Sequence, residues 1–270
     1  MRTDLPRLAM RLGVAFMSYV LLTATASAAP AEPKPVISSN TKSADISVTI
    51  DPSLKAAPGL YENLLAEAQR QVAKVRAEAD KALRAHDFPF KIGGKYEFSR
   101  SYTQRSSIGR YVSIVRDDGS FQGGAHPNQN IDTILWDKDA KKQISIRGFF
   151  KETADKGPTM TAMAKLVRAA VNAEKKKRDR PVGDNPDTDE WLKDITPSLL
   201  KLGPVTLAPS TEPSKSSGLT FHYSPYAVGP YAEGSLATFV PWTAFKDYLS
   251  PEGAALFGGT RPEGDDASDD

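Results

Sequence analysis

The chain has 270 residues, 40% of them hydrophobic and 25% charged, with 35 Lys and Arg against 33 Asp and Glu and no cysteine. Without cysteine there are no disulfides and no thiolate metal ligands, so stability must come from a hydrophobic core, which a chain of this length is able to bury. A formal net charge of only +2 gives no broad electrostatic attraction to nucleic acid or to an anionic membrane surface.

Residues 1–28 read as a secretory signal peptide. Arg2, Arg7 and Arg11 precede the apolar run LGVAFMSYVLLT, and Ala26-Ser27-Ala28 offers an A-x-A cleavage site. The run is shorter than the roughly 20 residues that cross a bilayer, so cleavage leaves no stable membrane span. Removal takes three arginines and one aspartate and leaves 32 basic against 32 acidic residues, which makes the excess basicity a targeting feature. A periplasmic or secreted location is the expectation. Residues 29–43, rich in Pro, Ser, Lys and Ala, read as a flexible leader.

From there the periodicity alternates between two kinds. ADISVTI places Ile46, Val48 and Ile50 on one face of a half-buried strand. Leu60, Leu64, Ala68, Val72, Val75, Ala79 and Leu83 then recur every three or four residues, as on a long amphipathic helix. KYEFSRSY, RYVSIVR, NIDTILW and QISIRGFF, with turns at DDGS and DKDAKK, predict an antiparallel meander, because the connections are too short for parallel crossovers. Met160, Met163, Ala164, Val167 and Val171 predict a second helix, with KKKRDR at the end where the helix dipole favours cations. DEWLKDI is a short helical candidate, and VTLA, GLTFHYSP and LATFVPW return to strands. Residues 258–270 are acidic and poor in apolar side chains, a composition expected to be disordered. The fold class is therefore α+β, with antiparallel sheets, one long N-terminal helix and a second inserted helix.

Two stretches resemble a known family. FQGGAHPNQNIDTILWDKDAKKQISIRGFF is similar to the pattern Y-x-G-G-A-H-G followed by a strand, a turn and L-x-D-L-F. GLTFHYSPYAVGPYAEGSLATFVPWTAFKDYL is similar to F-x-Y-x-x-Y-x-I-A-P-Y-A-x-G followed by V-x-I-P-Y-x-x-L. Both patterns belong to the extracytoplasmic domain of unknown function shared by RsiV-type anti-sigma factors, which sense lysozyme, and PdaC-type peptidoglycan deacetylases. The resemblance implies such a domain over residues 96–257, with residues 44–95 as its small N-terminal partner region. It implies recognition outside the cytoplasm. Neither a sigma-binding segment nor the separate deacetylase catalytic domain is in this sequence, so those activities are not implied. The chain departs from the pattern at Pro127, Ala140 and Gly148, where the family has glycine, glycine and aspartate.

Candidate ligand-binding residues are His126, Asn128 and Asn130 in the first motif and His222, Tyr226 and Tyr231 in the second. Imidazole and amide groups both donate and accept, as a polyhydroxylated ligand or a partner backbone requires, and tyrosine adds apolar area with a polar tip. Each also has a structural reading: His126 bonded to its own turn, and the tyrosines closing one end of the core. No close-spaced pair of metal ligands accompanies His86, His126 and His222, and DNPDTDE lacks the glycine and terminal glutamate of a calcium loop, so neither cofactor nor metal is expected. Asp187 or Thr188 reads instead as a cap on the helix expected next. Nucleophile elbows, phosphate loops and dinucleotide fingerprints are missing from the sequence. The expectation is an exported, non-catalytic envelope protein that binds a peptidoglycan fragment or a lysozyme-like protein. A hydrolase of envelope polymers and a structural envelope protein remain alternatives, because paired carboxylates meet only in the fold.

Overall fold

The computed structural model describes residues 34–265, so the signal-peptide stretch and the last five residues lie outside it. Six strands form one sheet in chain order: β1 (Ile37–Asn40), β2 (Ala44–Ile50), β3 (Tyr96–Ile108), β4 (Tyr111–Phe121), β5 (Asn128–Asp137) and β6 (Lys142–Ile144). Every neighbouring pair is antiparallel except β2 and β3. Those two are parallel because helix α1 (Leu60–Ala85) carries the chain back across one face before β3 begins.

That face is where the alternation pays off. Ile46, Val48 and Ile50 of β2, Phe98 and Tyr102 of β3, and Val112 and Ile114 of β4 pack beneath Leu60, Leu64, Ala68, Val72 and Val75 of α1. Beside this core, Arg100 is buried and grips both carboxylate oxygens of Asp118 at 2.5 and 2.6 Å. Arg116 reaches Asp132 at 2.7 Å and Glu67 of α1 at 2.5 Å, so charged side chains tie the helix to the sheet.

A second core lies on the other side. Helix α2 (Pro158–Lys177) and the short helix α3 (Pro251–Leu256) cover a three-stranded antiparallel sheet of β7 (Val205–Leu207), β8 (Gly218–Tyr223) and β9 (Leu236–Pro241). Strand β7 is an edge strand whose free backbone groups find hydroxyls on the large sheet. Ser106 Oγ donates to the Leu207 carbonyl at 2.7 Å, while Leu207 N and Val205 N donate to Ser113 Oγ and Thr133 Oγ1 at 3.1 and 2.9 Å. Three short side chains thus satisfy an edge that would otherwise be buried unpaired.

Four sequence expectations are corrected. Ile37–Asn40 lies in the stretch read as a leader but pairs with β2, and Ile37 packs against the α1 core. The meander from β3 to β6 is antiparallel as expected, but DDGS, expected as a turn within it, lies inside β4. DEWLKDI forms turns, and Asp189, not Asp187 or Thr188, accepts backbone donors there, from Gly183 N and Trp191 N. The tail is anchored as far as Asp265, whose carboxylate takes Arg105 and Arg261 at 2.7 and 2.8 Å.

Leu64 is fully buried between α1 and the sheet. Leu64→Ala is expected to lower stability by about 2–5 kcal/mol in urea unfolding, as a cavity-forming core substitution does.

Candidate functional site

Two loops separated by about 100 residues of chain meet at one end of the large sheet. The β4–β5 loop, residues 122–127, brings His126; the β8–β9 loop, residues 224–235, brings Tyr226 and Tyr231. The His126 ring stacks on Tyr231 with centroids 3.8 Å apart and planes at 22°, and Tyr226 leans on both, at 6.0 Å from His126 and 5.4 Å from Tyr231. Pro127 is the hub. Its carbonyl accepts from Tyr231 Oη at 2.8 Å and from His126 Nδ1 at 2.9 Å. A carbonyl only accepts, so Nδ1 is the donor there, and Nε2 faces Tyr226 Oη at 3.4 Å.

Local sequence explains how the first loop makes this bend. Gly123 has φ +97°, and a Cβ there would fall 2.0 Å from the edge of the Phe88 ring. Tyr226 holds φ +72°, a left-handed conformation that costs a non-glycine residue about 1–3 kcal/mol, and its side chain is 56% exposed.

The second loop is pinned from below by α2. Lys175 is 1% exposed; its ammonium donates to the Val228 carbonyl at 3.0 Å and pairs with Glu233 at 3.3 Å. Arg178 adds a bond to the Ser235 carbonyl at 3.3 Å, and Ser224 Oγ accepts from Ile131 N at 2.8 Å. In the sequence Lys175 reads as one of several dipole-facing cations. A signal was present: Lys175 lies four residues after Val171 and continues the buried stripe of Val167 and Val171.

Beneath Pro127 and Tyr231 a groove opens on the face of the large sheet turned away from α1. It comprises two adjoining hollows of about 420 and 380 Å³ that share Ser47, Ser99, Gly119 and Pro127. A smaller recess of about 210 Å³ continues from Ser101 and Asp117 toward Arg178 and His222.

The remaining candidates divide. Asn128 lines the groove. Asn130 does not: it stands opposite Asp118, on the α1 side of the sheet. His222 is 3% exposed and bonded through Nε2 to Thr206 Oγ1 at 2.9 Å, at the back of the small recess. Among the described residues no three His, Asp or Glu side chains converge on a point where a metal ion could sit. No helix among them is long and apolar enough to cross a membrane.

Burial, helped by the charge of Arg105, pushes the His222 imidazole down to about 4. In the unfolded chain it protonates near about 6.5. Between those values the unfolded state holds the proton and the folded state does not, so this ring's stabilising contribution is complete above about pH 6.5 and lost as pH falls toward 4. From pH 7.5 to pH 4.5 the wild type should lose about 2–3 kcal/mol more stability in urea unfolding than His222→Gln. Equal losses would exclude this assignment. Removing the cation under the second loop, as in Lys175→Met, leaves Glu233 buried without its partner and should cost about 3–5 kcal/mol in thermal unfolding.

No curated protein matches the chain. Crystal structures of a DUF3298 family member from Bacteroides fragilis NCTC 9343 and of another from Pseudomonas aeruginosa PAO1 are similar to it at 16% and 17% identity. They cover 78% and 80% of this chain and 87% of each of theirs, with TM-scores of 0.49 and 0.48. Residues 149–243, which include Lys175, His222, Tyr226 and Tyr231, match the family model described as "Protein of unknown function (DUF3298)". The similarity to that family model is confined to these residues.

Proposed function

We propose that the chain is a non-catalytic binding protein of the cell envelope, acting after export, and that it recognises a peptidoglycan-like glycan. The observation that carries this reading is the half-buried His126–Tyr231 stack with the exposed Tyr226 beside it, an aromatic platform at the mouth of a polar groove. An aromatic face suits the apolar side of a pyranose ring, and the hydroxyl, imidazole and amide groups around it suit the ring's rim. The platform is held in advance by the Pro127 carbonyl and by Lys175 beneath the loop, so little ordering is left to oppose binding. A lysozyme-like basic protein is the second reading, favoured by Asp45, Glu97 and Asp117 along the groove.

Retention of the chain from residue 29 onward on insoluble peptidoglycan and on immobilised lysozyme separates the two. The wall polymer should retain it, and Tyr231→Ala or His126→Ala should weaken retention at least tenfold, about 1.4 kcal/mol. Retention by lysozyme alone would favour the second reading. Wild-type behaviour of both variants on peptidoglycan would remove the platform from the site.

A further inference from the structure

The reverse face of the large sheet is unusual in what it displays. Across β2, β3, β4 and β5 the register aligns Ser47, Ser99, Gly119 and Gln129 in one row and Thr49, Ser101 and Asp117 in the next. These positions line the groove, and most carry side chains no longer than a hydroxymethyl or hydroxyethyl group. A solvated sheet face ordinarily carries long charged side chains, which protect it from other chains. Gly119 adds an independent sign. It sits inside a strand, where glycine weakens pairing and marks close approach of a backbone or a ligand, and a Cβ there would lie 2.5 Å from Ser99 Oγ.

We infer that this floor is a tract of subsites for a linear oligosaccharide lying across the strands, with the His126–Tyr231 stack at one end and the Ser47–Ser99–Gly119 row beneath the following sugars. The inference rests on the glycan reading above and specifies its ligand as a chain and not a single sugar. Short hydroxyls both donate and accept and lose little rotamer freedom when they do, which matches a ligand made of hydroxyls and amides. Four strands about 4.8 Å apart span roughly 14 Å, room for about three pyranose rings. Gln129 is already held by a 2.6 Å bond to Asp117, so its amide is oriented before any ligand arrives.

The test is calorimetric titration of the chain from residue 29 with chito-oligosaccharides of one to five units. Affinity should climb at least tenfold from one sugar to three and then level off. Gly119→Val should remove that climb while leaving the single sugar bound at the stack. Should Gly119→Val misfold, Ser99→Gln fills the same space from an exposed position. Equal affinity for one sugar and three, or a groove-filling variant that binds the trimer as the wild type does, would overturn the inference while leaving the platform standing. If no sugar of any length binds and peptidoglycan does not retain the protein, both the platform and the tract are wrong.

Discussion

The arrangement of this protein depends on one asymmetry in the large sheet. Strand β2 and the part of β3 beside it carry their large apolar side chains on the face that α1 covers, while Ile108, Tyr111 and Leu135 turn to the second core, and the hydrophobic gain from burying Ile46, Val48, Ile50, Tyr102 and Ile114 fixes the register of β2, β3 and β4. A slip of one residue would carry that set out to solvent. With the register fixed, Ser47, Thr49, Ser99 and Ser101 have no choice but to face the other way. The groove is the remainder of a packing decision made on the opposite side.

The second layer then covers only part of that reverse face. Strand β7 docks over β3, β4 and β5 through hydroxyl bonds to its edge, and the β8–β9 loop overhangs what is left open. The overhang is polar and glycine-containing and would not hold a shape alone. It is held because Lys175 brings a buried cation beneath it and Glu233 with the Val228 carbonyl complete that cation's partners. A buried pair of this kind contributes little net stability relative to an apolar replacement, but it specifies one loop geometry, since losing either partner leaves the other buried alone. The position of Tyr231 against His126 therefore depends on a residue of α2 outside the aromatic cluster.

His222 and His126 show how similar sequence contexts lead to different chemistry. Both occupy polar motifs in an aromatic neighbourhood. His222 is enclosed between the sheets with Thr206 as its partner, and burial keeps it neutral far below the usual imidazole range. His126 lies at the surface with its Nδ1 donating to the Pro127 carbonyl. The proline that departs from the family pattern thus contributes the carbonyl that organises both His126 and Tyr231, which a change of side chain from glycine leaves available.

The sequence alone determined what repeats along the chain. The 3.6-residue stripes of α1 and α2, the strand stretches KYEFSRSY, RYVSIVR and NIDTILW, and the absence of thiol chemistry were readable from local pattern, whereas the full length of β4 through DDGS was not. Local pattern also put His126, Tyr226 and Tyr231 forward, but not as neighbours. Their meeting depends on how β5 and β8 are placed by two separate cores, and so do the burial of His222, the orientation of Asn130 toward α1, and the pairing of Ile37–Asn40 and Asp265 in stretches whose composition looked unstructured. Composition reports how much apolar area a segment brings by itself; whether a polar segment is ordered is decided by the partner that the rest of the chain supplies, and that partner exists only in three dimensions.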